Sequence, residues 1–365
     1  MIVSGDDGSI GQFKIGGEPI MLTRRQIIAL LKERDETVIE DLFRQADQVR
    51  REYAGDEIHL RGLLEFSNCC RQDCRYCGLR RSNKEAVRYR MAGTEILAQA
   101  RKARDLGFQT LVLQSGEDPH YSIEALCSLV RKIKKELGLA ITLSIGERPR
   151  DDFEKLKEAG ADRYLLRFET TDSRLFKTLK PDSQYRQRFR CLGWLEELGY
   201  QVGSGNMVGL PGQTIESLAE DILKFRELDL DMIGLGPFIS HPHTPLRGSP
   251  NGALEMVLRV TAVTRIVTRD AHMPATTATG TIDPDGRQKA LRYGANILMP
   301  NLTPLRYRKH YLIYPEKICL SEEPSQSYLK AEAMALSLGR TVAAHAGHSL
   351  KRKHRERPVQ RVKSS

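Results

Sequence analysis

Short apolar runs alternate with amphipathic, helix-like stretches along most of this chain. Each apolar run has the length of a strand, and each intervening stretch repeats its apolar residues with the period of a helix. This pattern gives eight strand candidates, at 58–66, 109–114, 140–145, 163–168, 201–207, 232–236, 273–277 and 296–300. The alternation predicts an α/β fold with a parallel sheet, and eight repeats predict a closed (β/α)8 TIM-type barrel. An open doubly wound sheet is the alternative, because periodicity does not show closure.

Turn and cap residues place the ends of several helices. Ser122 is a good N-cap, and Gly138 a good stop, for a helix whose apolar residues share one face. Before the first strand, helical signals begin near Thr23, and Thr37 and Glu40 have the spacing of a capping box. We expect these N-terminal helices to cover one end of the fold.

Changes in composition divide the chain into four parts. Residues 1–52 form an N-terminal extension with helices, 53–315 the barrel, 316–348 a C-terminal extension and 349–365 a basic tail. The tail contains seven Lys or Arg and one Glu, so it supplies +6 of the net charge of +10. Charge runs at a terminus are usually solvated, and we expect the tail to be disordered. The small charge that remains argues against a nucleic-acid partner.

The sequence has no feature of a membrane span or an export signal. It contains no apolar run of 18 residues, and its first ten residues include neither a basic nor an apolar segment. We therefore expect a cytoplasmic protein that does not contact a membrane. The cysteines number seven, an odd count, which favours a metal site in a reducing compartment over a disulfide framework.

Three of the cysteines, Cys70, Cys74 and Cys77, lie within eight residues at the spacing C-x3-C-x2-C. They follow the first predicted strand, on the loop at its carboxyl end, which is the active-site face of an α/β barrel. Three thiolates are one short of the four that close a structural zinc site or fully ligate an iron-sulfur cluster. A cluster held by three would keep one iron open for another ligand. A structural zinc or iron site completed by a distant residue is the alternative.

This cysteine spacing, with Tyr76 before the last cysteine, resembles the signature of the radical S-adenosylmethionine (SAM) enzymes. The resemblance implies that Cys70, Cys74 and Cys77 hold a 4Fe-4S cluster, and that SAM chelates the open iron through its amino and carboxylate groups. It also implies reductive cleavage of SAM to methionine and a 5′-deoxyadenosyl radical. Cys69 is predicted to be a packing residue, because neighbouring residues on an extended segment point to opposite sides.

From about Val49 to Cys319 the chain resembles a narrower family, the HydE-type maturases of FeFe-hydrogenase. The segments that carry this resemblance are SNCCRQDCRYCGLR, LQSGEDP, SIGE, ADRYLLRFET, MVGLPGQT, GPFISHPHTPL, PATTATGTI and GANILMPNLTP. The resemblance implies a role in assembling the diiron part of the hydrogenase H-cluster. It implies an organometallic substrate, a cysteine-bound iron carrying CO and cyanide, which the maturase HydG supplies and whose product passes to the maturase HydF. It also implies a low-potential electron donor such as ferredoxin or flavodoxin.

The same resemblance assigns residues to SAM. Ser115, Gly116 and Glu117, in a turn after the second predicted strand, take the place of the Gly-Gly-Glu segment whose backbone meets the amino group of SAM. A β-turn that caps a helix is the alternative for this segment. The other residues that the resemblance places at the cofactor are Tyr76, Glu169, Arg188, Met232 and Tyr311. A structural salt bridge is the alternative for Glu169 and Arg188.

Further residues are assigned to a substrate cavity, and none is assigned a catalytic role. The cavity residues are Arg167, Thr276, Thr277, Met299 and Tyr314. Thr276 and Thr277 end the seventh predicted strand, where their hydroxyl and backbone groups can bind anions. Threonine pairs are also ordinary strand formers, and the methionine and tyrosine could equally belong to the core.

Some chains of the HydE family hold a second cluster on a C-terminal trio of cysteines, C-x7-C-x2-C. Here only Cys319 is present, with Ser327 and Lys330 in the other two positions, so we expect no auxiliary C-terminal cluster. Methylornithine synthase and biotin synthase, which act on small amino-acid-like substrates, are the alternatives within the superfamily. The few spare cysteines disfavour biotin synthase. A non-catalytic iron-sulfur or zinc protein that binds RNA through its tail is the alternative from another class.

Overall fold

The structure of this protein is a computed structural model that describes residues 21–351, and its strands form one parallel sheet. Within that range the strands are β1 (His59–Ser67), β2 (Thr110–Ser115), β3 (Ala140–Ser144), β4 (Arg163–Leu165), β5 (Gln201–Val208), β6 (Met232–Pro237) and β7 (Ile297–Leu298). Their order in the sheet is β6-β5-β4-β3-β2-β1-β7, and every pairing is parallel. The predicted α/β class and parallel sheet are confirmed.

The two edge strands, β6 and β7, are joined by residues 272–274. His272 pairs with Met232, the first residue of β6, and Pro274 pairs with Ile297, the first residue of β7. The sheet therefore curls round until its edges meet at this segment. The prediction of an eighth strand at 273–277 is wrong, because only single bridge pairs form there and the chain enters a helix at Thr277.

The crossovers between the strands are mostly helical, as a parallel sheet requires. The helices of the described range are α1 (Arg24–Lys32), α2 (Glu36–Ala54), α3 (Gly93–Asp105), α4 (Ile123–Leu137), α5 (Arg150–Glu158), α6 (Ser173–Leu179), α7 (Tyr185–Glu197), α8 (Ile215–Glu227), α9 (Leu254–Thr268), α10 (Thr277–Ile282), α11 (Gly286–Arg292), α12 (Leu305–Arg308) and α13 (Pro324–Ser337). Several pack directly on strands: α3 on β1, α4 on β3, α7 and α8 on β5, and α9 on β6.

Local capping chemistry explains where α4 begins and ends. Ser122 Oγ accepts a hydrogen bond from Ala125 N, and Gly138 ends the helix in the left-handed region at φ 65°. Both ends are as the sequence predicts. The predicted capping box at Thr37 is wrong, because the N-cap of α2 is Asp35, two residues earlier, whose carboxylate accepts from Thr37 N.

The N-terminal helices α1 and α2 lie along the side of the fold, against α8 and α9. Lys32 Nζ of α1 is 2.6 Å from Glu216 Oε1 of α8. Phe43 of α2 stacks on Tyr293, with ring centroids 3.9 Å apart. The expectation that these helices cover one end of the fold is therefore wrong. Their apolar faces pack against the outer helices α8 and α9 and not against the ends of the strands.

One end of the sheet is instead covered by the chain after α13. Val342 pairs with Ile58, directly before β1. Farther along, the carbonyl of Gly347 accepts from the NH2 group of Arg163 at 3.0 Å, at the start of β4. The C-terminal extension thus closes the end of the sheet where the strands begin, opposite the end to which the cysteine loop is attached.

The first residues of the predicted tail belong to this covering segment. Ser349 and Lys351 are buried, and Lys351 Nζ lies 2.6 Å from Asp229 Oδ1 and 2.8 Å from Asp270 Oδ1. The expected start of a solvated tail at Ser349 is therefore too early, because these acidic partners were not visible in the sequence. Residues 352–365, the rest of the predicted tail, lie outside the described residues, as do residues 1–20.

A continuous apolar core fills the space between the sheet and its helices. Its largest fully buried aromatic residues include Phe66, Phe108, Phe153 and Tyr164. Between residues 21 and 351 no helix combines the length and the apolar character that crossing a membrane demands.

Candidate active site

The cysteine loop leaves β1 and folds back against the end of β2. Arg71 N donates to Glu117 O at 2.9 Å. A Cβ atom on Gly116 would lie 2.2 Å from Cys69 O, so this approach requires glycine. The cysteine loop and the turn at Ser115 to Glu117 therefore lie side by side at the carboxyl edge of the sheet.

The three spaced cysteines are free thiols on this loop, with Cys74 buried and Cys70 and Cys77 partly buried. Burial raises the pKa of the Cys70 thiol to about 11, and burial together with the neighbouring cysteines raises the pKa of Cys77 further. The three sulfur atoms therefore share one region in which thiolates need compensating positive charge. Iron ions supply such charge, so this donor set fits a 4Fe-4S cluster with one iron that lacks a protein ligand. Cys69 Sγ is directed elsewhere, to Tyr89 O at 3.7 Å.

A single metal ion would need a tighter arrangement than these thiols have. In the part of the chain that the structure describes, no three His, Cys, Asp or Glu side chains converge on one point closely enough to hold one ion. An iron-sulfur cluster spreads its protein ligands over several iron ions.

Arg188 of α7 reaches the same edge of the sheet and pairs with two carboxylates. Its Nε lies 2.7 Å from Glu147 Oε1, and its NH2 group lies 3.5 Å from Glu117 Oε1. Glu117 also accepts from Gln72 Nε2 at 2.7 Å, which ties it to the cysteine loop. Burial raises the pKa of Glu147. Burial opposes ionisation of Glu117 as well, but Arg188, Lys180, Arg71 and the hydrogen bond from Gln72 together lower the pKa of Glu117.

Glu169 follows β4 with its backbone in the left-handed region, at φ 69°. That conformation is strained for a residue other than glycine, and such residues cluster at functional sites. Glu169 Oε2 lies 3.4 Å from Arg167 Nε, and Glu169 Oε1 accepts from the Tyr76 hydroxyl at 3.4 Å. Burial raises the pKa of Tyr76 well above its ordinary value, so this hydroxyl stays neutral and donates. Glu169 therefore faces the cysteine loop.

Several buried polar atoms around these residues have no hydrogen-bond partner within residues 21–351. They are Glu147 Oε1, Arg167 Nε, Glu169 Oε2, Arg188 Nε, Arg188 NH2 and Asn206 Oδ1. All except Asn206 Oδ1 lie within ion-pair distance of an opposite charge, but these contacts do not have the geometry of a hydrogen bond. Buried polar groups in folded proteins are nearly always hydrogen-bonded. This set of donors and acceptors fits a ligand with both an ammonium and a carboxylate group, such as the methionine part of SAM.

Tyr311, which follows α12, is buried near the cysteine thiols. Its hydroxyl accepts from Gln114 Nε2 at 3.3 Å, next to Ser115 at the end of β2. The Lys317 ammonium lies 5.2 Å from the centroid of its ring. Lys317 in turn pairs with Glu65 of β1, and both side chains are almost completely buried. The C-terminal extension thus supplies a charged residue to the interior of the sheet.

Met232 is not brought to this edge. It is the first residue of β6, and its Sδ accepts from Arg61 NH1 at 2.9 Å. Arg61 also donates to the carbonyl of Gly347, in the segment that covers the opposite end of the sheet. The assignment of Met232 to SAM came from the family resemblance. Met232 is the first residue of its strand, and that position already predicted that it lies far from the carboxyl edge of the sheet.

The residues assigned to the substrate lie near α10 and the C-terminal extension. Thr276 is the N-cap of α10, and its Oγ1 accepts from Thr279 N at 3.3 Å. Thr277 is the first residue of that helix and does not end a strand, which corrects the predicted placement of both threonines. Thr277 and Met299 line one small pocket. Tyr314 is also buried, and burial raises the pKa of its hydroxyl.

Two residues of this region were missed by sequence reasoning. Glu147 lies three residues after the end of β3, in the segment Ser-Ile-Gly-Glu, and its place close to a strand end was a usable signal. The sequence contains no signal for Asp221 of α8, because it is one acidic residue among several on an amphipathic helix. Its Oδ1 accepts from Thr171 N and Thr171 Oγ1, both at 2.6 Å, and its Oδ2 accepts from Asn206 Nδ2 at 2.7 Å. Asp221 thus supports the loop that carries Glu169.

Comparisons with known proteins agree with this site. A profile of the Radical SAM superfamily matches residues 64–225. The chain is 51% identical to "[FeFe] hydrogenase maturase subunit HydE" of Thermotoga maritima over 318 residues, 87% of this chain and 91% of that protein. It is 30% identical to 3-methylornithine synthase of Methanosarcina acetivorans over 283 residues, 77% of this chain and 80% of that protein. The crystal structure of a methylornithine synthase matches with a TM-score of 0.77 at 26% identity, over 88% of this chain and 94% of that one.

The curled parallel sheet and its three-cysteine loop define a radical SAM enzyme. Within that superfamily, this chain belongs to the HydE family of [FeFe] hydrogenase maturases. The family resemblance predicted from the sequence is confirmed.

Proposed function

We propose that this protein is a radical SAM maturase that acts in assembly of the diiron subcluster of the FeFe-hydrogenase H-cluster. The observation that carries the proposal is the three-cysteine loop beside buried charged groups that make ion pairs but leave polar atoms without a hydrogen-bond partner, in a chain 51% identical to the HydE protein of T. maritima. When bound, a 4Fe-4S cluster supplies one electron that cleaves SAM to methionine and a 5′-deoxyadenosyl radical. The cytoplasm is the proposed compartment, supported by the seven free cysteines.

The protein residues hold and orient the cofactors in this proposal. Cys70, Cys74 and Cys77 hold the cluster. Arg188 binds the carboxylate of SAM through its planar guanidinium, and Glu169 accepts from the ammonium. The support is the burial of both side chains and their unfilled hydrogen-bonding positions.

The remaining assignments complete the cofactor pocket. The backbone at Ser115, Gly116 and Glu117 meets the amino group of SAM, next to Tyr76 and Tyr311. Met232 is left out of this set, because it lies at the start of β6. The curled sheet excludes water from the reacting atoms, which protects a reactive species from side reactions.

We further propose one cluster in each chain. Cys319 is the only cysteine after Cys191. In the two positions where some family members have the other cysteines, Ser327 Oγ donates to Glu322 Oε2 at 3.0 Å and Lys330 Nζ lies 2.7 Å from Glu322 Oε1. A hydroxyl and an ammonium are poor ligands for an iron-sulfur cluster compared with thiolates. Iron analysis tests this: about four irons per reconstituted chain support it, and about six or eight, as a second 2Fe-2S or 4Fe-4S cluster would give, contradict it.

The proposed substrate is a cysteine-bound iron that carries CO and cyanide, delivered by HydG, with the product passed to HydF. A low-potential carrier such as ferredoxin or flavodoxin would donate the electron. Arg167, Thr276, Thr277, Met299 and Tyr314 are the proposed substrate residues. The support for these roles is the relationship to the HydE family and the cationic and hydroxyl groups of Arg167 and the two threonines.

The radical SAM step is tested by anaerobic reconstitution with iron and sulfide, followed by reduction with dithionite in the presence of SAM. The wild-type protein is expected to form 5′-deoxyadenosine, and a Cys74→Ala variant is expected to form none. Equal product from the two proteins, or none from either, would contradict the proposal.

The maturase role is tested by leaving this protein out of a purified maturation mixture that activates FeFe-hydrogenase. Hydrogenase activity is expected to fall to the background of the mixture without it. Activity that stays the same would remove the maturase role. Formation of 3-methylornithine by the purified protein would favour the alternative suggested by the methylornithine synthase relatives.

A further inference from the structure

One lysine near the cysteine loop is buried without a partner for its charge. Lys180 is the C-cap residue of α6, and only 6% of the residue is exposed to solvent. Within residues 21–351 its ammonium group makes no hydrogen bond and no ion pair. Lysine is rarely buried, because an ammonium group taken out of water is costly unless negative charge compensates it. The burial of Lys180 therefore indicates that its surroundings are built to hold an anionic group.

Contacts on both sides of Lys180 hold it against the cysteine loop. The residue before it, Leu179, accepts through its carbonyl from Arg75 N at 2.8 Å. Three residues after it, Ser183 Oγ donates to Gln72 Oε1 at 3.3 Å. Gln72 and Arg75 occupy the two gaps between the three spaced cysteines. The turn that carries Lys180 therefore lies directly on the loop that carries the cysteines.

The positive charge of Lys180 acts on the groups at this end of the sheet. Burial raises the pKa of the Cys77 thiol, and Lys180 opposes that rise. Burial also disfavours the charged forms of Glu117 and Glu147. Arg188 and Lys180 oppose burial at both carboxylates. The Lys180 ammonium therefore lies where the cysteine loop meets the carboxyl edge of the sheet.

The two carboxylates are already paired with guanidinium groups. Arg188 Nε lies 2.7 Å from Glu147 Oε1, and its NH2 group lies 3.5 Å from Glu117 Oε1. Arg71 Nε lies 3.4 Å from the other oxygen of Glu117. Two guanidinium groups therefore match two carboxylates. The charge of Lys180 is left for a further anion beside the cysteine loop.

We propose that Lys180 is the counter-charge of the 4Fe-4S cluster and raises its reduction potential. This inference rests on the proposed function, which supplies the cluster. A 4Fe-4S cluster on three thiolates is negatively charged, and reduction adds one more negative charge. A buried cation beside the cluster stabilises the reduced form more than the oxidised form, because buried charges are weakly screened. Lys180 acts through its charge alone and takes no part in the chemistry of SAM.

The test is a redox titration of the cluster-loaded protein without SAM, followed by electron paramagnetic resonance. Lys180→Met removes the charge with little change in volume, and Lys180→Arg keeps the charge. Lys177→Met is the matched control, because it removes the same charge from an exposed position one turn earlier in α6. At a fixed solution potential, the ratio of reduced to oxidised cluster should fall about tenfold in Lys180→Met, which is a shift of about 59 mV to lower potential. Lys180→Arg and Lys177→Met should stay close to wild type.

Iron analysis shows which variants hold a complete cluster. If Lys180→Met does not, Lys180→Gln takes its place in the titration, since its amide is polar but uncharged. Loss of iron from both neutral variants, with about four irons per chain retained in Lys180→Arg, also supports the proposal, because the charge is then needed to hold the cluster. Loss of iron from Lys180→Arg as well would show that packing sets the effect, and would overturn the proposal. So would a complete cluster in Lys180→Met with the wild-type potential.

Binding of SAM separates this role from another that the same cation could have. A Kd for SAM that rises tenfold in Lys180→Met, with the potential unchanged, would place Lys180 at the carboxylate of SAM and overturn the proposal. A lower potential supports the proposal at any Kd. If the wild-type protein forms no 5′-deoxyadenosine with dithionite, the radical SAM function fails, while the potentials of the variants still decide the role of Lys180.

Discussion

Arg188 Nε lies 2.7 Å from Glu147 Oε1, and the two side chains are only 4% and 13% exposed to solvent. Arg188 comes from α7, on the outside of the sheet, and Glu147 from the residues that follow β3. Their contact fixes a long cationic side chain across the end of the sheet. A guanidinium held in this way is oriented before a ligand arrives, which reduces the entropy that binding costs.

The first prediction concerns this pair. Glu147→Gln removes the charge that orients Arg188, so the guanidinium can turn fully toward Glu117. The Kd for SAM is expected to rise about tenfold, equivalent to about 1.4 kcal/mol. Equilibrium dialysis of SAM against the cluster-loaded protein measures it. Glu154→Gln, on the half-exposed outer side of α5, is the control and should leave the Kd unchanged. A Kd of the Glu147→Gln variant equal to that of wild type would show that Glu147 does not position Arg188.

The second prediction concerns the contact between the Ser115–Glu117 turn and the cysteine loop. Gly116→Ala places a Cβ atom 2.2 Å from Cys69 O, so the loop must move. We expect the free energy of unfolding to fall by about 1–3 kcal/mol and the iron content after reconstitution to drop. Gly93→Ala is the matched control, because nothing lies within 4 Å of its added Cβ. The control should hold its iron and be unchanged or slightly more stable.

The third prediction is a pH dependence that comes from Asp221. Burial raises the pKa of Asp221 to about 7, above its ordinary value of 3.8. Between these values the folded protein binds more protons than the unfolded chain. The free energy of unfolding therefore falls as pH rises from about 4 to about 7, by up to about 1.4 kcal/mol per pH unit. Asp221→Asn removes this contribution.

Urea unfolding at pH 5 and pH 8 checks it. The variant should gain stability relative to wild type on going from pH 5 to pH 8. A difference between the two proteins that is the same at both pH values would mean that Asp221 does not titrate in this range.

The fourth prediction concerns the buried pair of Lys317 and Glu65, whose side chains are 4% and 1% exposed. Lys317→Met leaves the Glu65 carboxylate buried without its counter-charge and is expected to cost about 3–5 kcal/mol of stability. The double variant Glu65→Gln/Lys317→Met should recover most of that loss, since neither charge remains. Chemical denaturation of the three proteins measures this. A double variant as unstable as Lys317→Met would show that packing, not charge, sets the cost.

The sequence predicted those parts of the fold that depend on local pattern. Seven of the eight strand candidates are strands, because apolar runs between helical stretches have few other ways to be buried. The prediction of a strand at 273–277 was wrong because this segment makes only one bridge pair with each edge strand, β6 and β7, and no continuous strand pairing. The tail boundary at Ser349 failed for a related reason: the acidic partners of Lys351 come from distant loops, which no local pattern reveals.

The part of the site that consists of sequence motifs and residues at strand ends could be predicted from the sequence. The cysteines, Glu169 and Arg188 lie together because each follows or faces the carboxyl end of a strand. The ends of strands can be predicted from the pattern of apolar residues. The sequence did not reveal that Lys317 enters the interior from the C-terminal extension, since a lone lysine after an irregular segment is usually exposed. Asp221 was missed because its burial is set by three hydrogen bonds made across the fold.

The most direct test of the central claim is the electron paramagnetic resonance spectrum of the reduced, reconstituted protein with and without SAM. The account predicts a reduced 4Fe-4S signal that changes when SAM is added, in wild type and equally in Cys69→Ala, whose thiol points away from the cluster region. Alanine at Cys70, Cys74 or Cys77 should abolish the signal. A wild-type signal unaffected by SAM, or a Cys69→Ala variant that loses the cluster as the others do, would contradict a three-cysteine cluster with an iron open to SAM.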